Sequence, residues 1–270
     1  MPPLRSWWMA GAIIVTIGLA ATVRAARADQ VSAPFYGDPA APDISGLWLG
    51  TLTGRPGVPF APNRGSADGR PATFWAPWPL PYTPKYLSIF DKRAAAAKQG
   101  RQLGDTGARC LPFGLPFVLV SKVYPDEIIQ TPGRVTLMIF GTVPLVVWTD
   151  GRPHPANLVP SFNGHSIGHW SGRTLFVDTV GIRGDTPLDV DRDPHSGMLH
   201  IEWSVERVAS DVLHFHVTLD DADAFTEPVT TTNIWTRKSG SKWDVLDDQS
   251  CFENNQERTE SIPEQGFIKF

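Results

Sequence analysis

A series of short segments in hairpin order limits this chain to a mainly β fold. Apolar or β-branched residues alternate with polar ones over these segments, and turn-forming residues separate them. The predicted strands are 43–51, 127–130, 135–140, 145–149, 166–170, 174–179, 200–208, 212–219, 230–237 and 243–251. Short, evenly spaced strands joined by tight turns are typical of an antiparallel barrel or sandwich. We therefore expect a closed antiparallel meander, a barrel of the lipocalin or calycin kind.

One helix is predicted before the main strand series. Thr83 suits the N-cap, and Pro84 suits the first helical position. An Ala-rich run follows to about Gly104. The apolar residues at helical spacing in this run are Tyr86, Ile89, Phe90 and Ala94. We interpret this stripe as a packing surface and not as a cofactor site.

The N-terminal segment predicts export. Residues 7–23 are mostly apolar, and the small residues Ala26 and Ala28 precede a cleavage position before Asp29. We expect a signal peptide over 1–28, with an uncleaved membrane anchor as the alternative. Residues 29–82 then form an extended Pro-rich arm with the first strand, and 83–270 form the helix and barrel domain. The predicted location is periplasmic or secreted, with no membrane span after signal cleavage.

The net charge limits the classes of binding partner that the chain can have. The net charge is -4 and the pI is near 6.0, which argues against nucleic-acid binding. The partner predicted instead is a small-molecule ligand, and the oligomeric state stays open. The chain has two cysteines, Cys110 and Cys251, both in the exported part. An even pair in an oxidising compartment is typically bridged, so a Cys110–Cys251 disulfide is expected.

Five of the seven histidines fall in one stretch that is also rich in carboxylates. They are His154, His165, His169, His195 and His200. Imidazole titrates nearest neutral pH and is the commonest metal ligand. The predicted catalytic residues are His154, His165, Asp178, His195 and His200. The predicted substrate-binding residues are Asp150, Arg152, Ser196 and Trp170.

The segment Gly164–Gly168 matches the G-x-S-x-G elbow of serine hydrolases, but its context differs. That motif needs a strand, a turn and a following helix, whereas here a second strand follows. A two-residue turn at Ser171–Gly172 would place His165 opposite Asp178, where the carboxylate would prepare a general base. A loop one residue longer would place Ser166 opposite Asp178 instead. A surface His–Asp pair without function is the alternative.

The hairpin of residues 200–219 alternates regularly. A three-residue loop would oppose Glu206 to His214 and Ser204 to His216. The polar set would then share one face and the apolar set the other. Because the polar face of such a sheet normally meets water, His214 and His216 are expected at the surface.

Metal binding is a second interpretation of the histidines. His154, His165, His195 and His200 would supply zinc ligands, but no H-E-x-x-H or equivalent motif is present. The acidic residues before His195 are Asp185, Asp189, Asp191 and Asp193. They lack the terminal Glu of a Ca²⁺ loop, so we expect a solvated loop. We predict no metal and no cofactor, with zinc as the alternative.

The block from Cys110 to Asn255 resembles a large family of exported bacterial proteins. The segments that carry the resemblance are ARCLP at 108–112, QTPGR at 130–134, TDGRPHP at 149–155, GHSIGHW at 164–170, VDTVG at 177–181, PHS at 194–196, LH at 199–200, and Cys251 with ENN at 253–255. The resemblance implies export, the disulfide and a single domain, but no activity. The chain departs from the family at Trp203-Ser204, where the family often has Glu-Arg, and at His165 or His169. The resemblance therefore carries over His154, His195, Ser196 and His200.

The sequence thus predicts an enzyme. We expect cofactor-free acid–base chemistry of the isomerase, lyase or cyclase type on a small, partly apolar, aromatic or polycyclic compound. A histidine would move the proton, and Arg152 would stabilise developing negative charge. One alternative is a carrier, which an apolar lining with the histidines outside would favour. The other is a zinc-dependent hydrolase.

Overall fold

The computed structural model describes residues 41–51, 75, 77, 79–101, 103–120, 126–139, 143–189 and 191–240. All of them belong to the compact unit Tyr36–Phe270. The predicted signal peptide, the predicted strand 243–251 and Cys251 lie outside the described residues. The predicted Cys110–Cys251 disulfide therefore stays a prediction.

The described strands form a closed barrel in which consecutive strands are neighbours and the last pairs with the first. They are β1 Gly46–Thr51, β2 Asp126–Thr131, β3 Arg134–Met138, β4 Leu145–Trp148, β5 His165–Ser171, β6 Thr174–Val180, β7 His200–Ala209, β8 Val212–Asp220 and β9 Val229–Arg237. The prediction of a mainly β barrel is confirmed. The pairing predicted for β7 and β8 is also correct, with Glu206 opposite His214 and Ser204 opposite His216.

One pair of strands differs from the predicted antiparallel meander. β4 and β5 are parallel, with Val147 opposite Ser166 and Trp148 opposite Ile167. Parallel neighbours need a crossover connection, because the chain must return to the starting end of the first strand. Residues 149–164 make this connection. The TDGRPHP segment at 149–155 is therefore part of the crossover that leads into β5.

The interior of the barrel is filled by apolar side chains. Trp48, Phe215 and Trp235 are fully buried, and the rings of Phe215 and Trp235 stack with centroids 3.9 Å apart. The indole N–H of Trp48 donates to the carbonyl of Ile44. Burial alternates along β6, β7 and β8, so one face of each strand lines the core and the other faces outward. Side chains fill small barrels in this way.

The predicted helix begins at the expected residue but ends early. α1 spans Pro84–Ala97 with Thr83 as its N-cap residue, although the Thr83 hydroxyl donates to the carbonyl of Asp223 instead of capping the helix. The helix ends because Gly100 adopts a φ of +74°, and Arg101 N–H then bonds back to the carbonyl of Ala96. The extension to Gly104 was wrong. Among the described residues, no helix is both long and apolar enough to cross a membrane.

Two short helices follow α1. A 3₁₀ helix spans Gly107–Arg109, and α2 spans Phe117–Val120. α2 is buried, and the carbonyls of Leu119 and Val120 accept hydrogen bonds from the amide of Asn233 in β9. This contact ties α2 to the barrel wall.

Candidate functional site

Three of the predicted catalytic residues lie on the outer face of β5, β6 and β7. Ser166, Thr179 and Ile201 are buried, so their neighbours in sequence, His165, Asp178 and His200, point to the other side. Alternation along paired strands therefore collects these side chains on one outward surface.

The predicted pairing of the β5–β6 hairpin was wrong by two residues. Gly172, with a φ of +57°, is the first of two turn residues, so the turn is Gly172–Arg173 and Ser171 pairs with Thr174. This first turn position has a positive φ, which glycine adopts without strain. Asp178 consequently lies opposite Ile167 instead of His165. A shift of two residues keeps every side chain on its predicted face, so His165 and Asp178 still share one surface.

The crossover loop brings His154 onto this surface. His154 Nδ1 lies 2.8 Å from His165 Nδ1, and His154 Nε2 lies 3.5 Å from Asp178 Oδ1. His200 Nε2 is hydrogen bonded to the same Asp178 oxygen at 2.8 Å. We call these four residues, His154, His165, Asp178 and His200, the His/Asp cluster. Two histidines, one from a loop and one from β7, thus face one carboxylate, and His165 joins them through His154.

The carboxylate of Asp178 decides which ring nitrogens carry protons. A carboxylate only accepts hydrogen bonds, so His200 Nε2, which is hydrogen bonded to it, is assigned as N–H. His154 Nε2 faces the same oxygen at 3.5 Å without a hydrogen bond, and the negative charge favours a proton on that atom too. His154 in its neutral form then has an unprotonated Nδ1, and His165 Nδ1 must be the donor in the contact between the two rings. His165 is left with an unprotonated Nε2. The cluster therefore prepares His165 Nε2 as a base.

Electrostatics keep His165 in this basic form. Partial burial lowers its pKa from the usual value near 6.5, and the neighbouring His154 and Arg152 lower it further. At neutral pH the imidazole of His165 is consequently uncharged and ready to accept a proton. The cluster is also open to solvent, since the side chains of Asp178 and His200 are 46% and 34% exposed. A ligand therefore has access to it.

Arg152 lies beside the cluster on the same crossover loop. Its guanidinium stands over the ring of Trp148, 3.6 Å from the centroid, and donates to Asp150 through Nε and Nη2. These hydrogen bonds lower the pKa of the Asp150 carboxyl and raise the pKa of Arg152. Both side chains are exposed, so the pair contributes little to stability. Its effect is to hold a positive charge near His165.

An apolar strip borders the cluster and was not predicted. Trp148, Ile167 and Asp178 form one cross-strand row, and Phe176 follows on the outer face of β6. Phe176 is 44% exposed and stacks on His169, with ring centroids 5.6 Å apart. Side chains alternate between the two faces along HSIGH (165–169) and LFVD (175–178), which places Ile167 and Phe176 on the same face as His165 and Asp178. The strip could therefore have been predicted from this alternation.

His195 does not join the cluster. It is 2% exposed, with Nδ1 against the carbonyl of Ser196 and Nε2 against the hydroxyl of Thr186, both at 2.8 Å. Burial lowers its pKa, so the ring is neutral. Of the four predicted catalytic histidines, His154, His165 and His200 belong to the His/Asp cluster, whereas the contacts of His195 are those of a structural residue.

Two predicted substrate-binding residues also lie apart from the cluster. Ser196 is buried and donates to Asp221 through both its hydroxyl and its backbone N–H. Trp170 is on the inward-facing side of β5 and packs against the core. These contacts stabilise the fold and leave Arg152 and Asp150 as the predicted binding residues near the cluster.

The serine of the GHSIG segment faces the barrel interior. Ser166 is 2% exposed, and its hydroxyl lies 2.8 Å from that of Thr179. Thr179 in turn accepts the indole N–H of Trp203. Ser166 is part of a strand followed by a turn and a strand, as expected. Its side chain is thus a core hydroxyl and not an exposed nucleophile.

The acidic loop before His195 was expected to be solvated, which is correct for the exposed Asp185 and wrong for Asp189 and Asp193. Asp189 and Asp193 are 0% and 1% exposed, and Asp189 accepts the indole N–H of Trp75.

Among the described residues, no group of three or more His, Cys, Asp or Glu side chains is arranged to hold a metal ion. No protein-family model and no curated protein matches the chain.

Proposed function

We propose that this protein is an exported, cofactor-free acid–base enzyme of the isomerase, lyase or cyclase type. The observation that supports this best is the His/Asp cluster, in which His165 is linked through His154 to Asp178 and His200. Convergent titratable groups with assigned proton positions are what general acid–base catalysis needs. A sheet surface without a function would not require a loop histidine to complete it.

In this proposal His165 Nε2 takes a proton from the substrate. His154 accepts the Nδ1–H of His165 and faces the carboxylate of Asp178 on its other side, so it holds the His165 ring in place with Nε2 directed away from His154. Arg152 stabilises the negative charge that develops on a substrate oxygen. His165 then returns the proton to a different atom in an isomerisation, or the substrate expels a leaving group in an elimination. His154 and Asp178 act as positioning residues.

The surroundings of the cluster favour a planar, partly apolar substrate. Ile167 and the exposed ring of Phe176 offer an apolar surface next to Asp178. Aromatic rings bind such surfaces through offset stacking. Arg152 supplies a cation for a carboxylate, phenolate or enolate oxygen. The substrate class is therefore a small aromatic or polycyclic compound with an acidic C–H or O–H.

The carrier alternative has one observation in its favour, because the histidines lie outside the barrel. A carrier of this kind would hold its ligand inside, where Trp48, Phe215 and Trp235 are fully buried against their neighbours. That function does not explain why the side chains of the His/Asp cluster lie together.

The zinc hydrolase alternative is addressed by measuring metal in the purified protein and by testing activity after treatment with a chelator.

A nitrobenzisoxazole tests the proposed base directly. A general base removes the proton of its ring carbon, the nitrogen–oxygen bond breaks, and a coloured cyanophenolate forms. We expect the protein to accelerate this reaction and His165→Gln to lose about a hundredfold of the acceleration. His216→Gln is the matched control, because His216 is an exposed histidine on the outer face of β8. Equal rates for the wild type and His165→Gln, with thermal unfolding unchanged, would rule out His165 as the base.

A further inference from the structure

Three carboxylates crowd into the loop that precedes β7. Asp189 accepts hydrogen bonds from Trp75 Nε1 and from the backbone N–H groups of Asp191 and Asp193. The carboxylate of Asp193 faces Asp189 and the hydroxyl of Tyr82. We call Asp189, Asp191 and Asp193 the buried acidic cluster. Residues 182–199, which carry it, lead directly into β7.

Several polar atoms of this cluster lack hydrogen bonds. Within the described residues, both oxygens of Asp193, Oδ2 of Asp191 and the hydroxyl of Tyr82 are buried without a hydrogen-bond partner of normal geometry. Asp193 is only 1% exposed. A buried ionised carboxylate without donors is strongly disfavoured, whereas a protonated carboxyl supplies its own donor. The contacts around Asp193 therefore favour the neutral acid.

Among the described residues, acids outnumber the basic groups around the cluster. Arg192 pairs with Asp105, and Arg93 on α1 donates to the carbonyl of Arg192. These two guanidinium groups face four carboxylates, Asp105 and the three of the cluster. The nearby His195 is neutral because burial lowers its pKa. With every acid ionised, these four carboxylates would exceed the two guanidinium groups by two negative charges, counted over the part of this largely buried site that the structure describes.

We propose that the folded protein holds protons on the buried acidic cluster, and that this cluster is a pH-sensitive anchor for residues 182–199. In the protonated form the loop stays joined to Trp75 through Asp189 and to α1 through Arg93, and the Asp193 carboxyl stays packed against the Tyr82 hydroxyl. Ionisation introduces repulsion between neighbouring carboxylates and loosens the loop. This inference goes beyond the proposed function and does not depend on it.

The pKa values of the three carboxyls are all raised, which agrees with this geometry. Burial raises the pKa of Asp189 to about 6 and that of Asp191 to about 8, and for Asp191 the charge of Asp189 adds to the effect. Burial, followed by repulsion from Asp189 and Asp191, raises the pKa of Asp193 well above its usual range. Unfolded aspartates lose their protons near pH 4, at about 3.9. The native state therefore binds more protons than the unfolded state, so stability falls as pH rises.

Thermal unfolding of the full chain between about pH 7 and about pH 9 tests the proposal, since neither histidines nor tyrosines change protonation strongly in that window. We expect the Tm of the wild type to fall across the window. Asp193→Asn should remove most of the fall and raise the Tm near pH 9 by about 3 °C or more. A carboxamide has the shape and the donor of a protonated carboxyl. Asp211→Asn, at an exposed turn residue, is the matched control and should keep the wild-type slope.

Three outcomes would overturn the proposal. Parallel slopes for the wild type and Asp193→Asn would show that folded Asp193 holds no proton in this window, since the slope measures the difference in bound protons between the folded and unfolded states. Failure of Asp193→Asn to fold at any pH would show that the site needs the negative charge. A rise in the wild-type Tm on adding CaCl₂ near pH 9, absent in Asp193→Asn, would identify a cation site instead of a proton-binding cluster.

Discussion

The Nδ1 atoms of His154 and His165 lie 2.8 Å apart, which makes one ring the donor and the other the acceptor. His154 comes from the crossover loop and His165 from the first position of β5. Asp178 determines the direction of the bond, because its carboxylate faces His154 Nε2 at 3.5 Å and favours the tautomer protonated there. A carboxylate that does not touch His165 thereby sets the basic nitrogen of that residue.

The first prediction concerns the proton positions. At neutral pH, His165 should be protonated at Nδ1 and unprotonated at Nε2, and His200 should be protonated at Nε2, since that atom bonds to Asp178. Long-range proton–nitrogen NMR correlations of the imidazole rings distinguish these tautomers. The opposite tautomer of His165 would contradict the assignment and would remove the proposed base.

The second prediction concerns the pKa of His165. Burial and the neighbouring charges of His154 and Arg152 hold this pKa below the usual value near 6.5. His154→Ala should raise it, because the variant removes one neighbouring charge and admits water. An NMR titration of His165 measures the change. His169→Ala is the control, since His169 stacks on Phe176 outside the cluster and should leave the titration unchanged.

The third prediction treats His195 as a structural residue. His195→Ala should lower the free energy of unfolding by about 2–4 kcal/mol, since it removes a buried ring with two polar contacts. Chemical denaturation measures this loss. His216→Ala, at an exposed residue, should change the free energy by less than about 0.5 kcal/mol. A mild effect of His195→Ala combined with lost turnover would instead indicate a catalytic role.

The same residue gives a pH dependence opposite to that of the acidic cluster. Burial lowers the folded-state pKa of His195 below the unfolded value of about 6.5. The unfolded state then binds more protons, so stability is complete above pH 6.5 and falls as pH decreases below it. His195→Ala should reduce this loss between about pH 6.5 and about pH 5, as followed by unfolding at each pH.

The fourth prediction concerns the glycine before β5. Gly164 has a φ of +63°, and an added Cβ would lie 2.5 Å from the carbonyl oxygen of Val180. Gly164→Ala should therefore cost about 3 kcal/mol and displace His165. Gly172→Ala is the matched control, because Gly172 has a similar φ of +57° with open space around it, and should cost about 1 kcal/mol. Equal costs for the two variants would show that steric contact at Gly164 is unimportant.

The hairpins show how far alternation predicts a sheet. In the hairpin 200–219 the polar and apolar residues alternate without interruption, so the pairing of Ser204 with His216 followed from the sequence. In the hairpin 165–180 the turn was placed one residue early. Moving the turn by one residue shifts the pairing by two, which leaves the faces unchanged and the hydrophobic pattern equally satisfied. Only the backbone conformation of Gly172 distinguishes the two registers.

The acidic loop shows where prediction from the local sequence fails. A run of aspartates is normally solvated because charge is costly to bury. Here Trp75, α1 and residues 182–199 come together around Asp189 and Asp193 from distant parts of the chain. The aspartate spacing alone carries no information about these partners.

The sequence by itself determined the strands, the outward face of His165, Asp178 and His200, and the inward face of Ser166, since side chains alternate along a strand with a period of two residues. The tertiary structure decided that β4 and β5 run parallel and that the crossover loop sets His154 against His165. It also decided that His195 is buried and separate. Contacts between a loop and a sheet depend on the path of the chain through space, and no short-range pattern specifies that path.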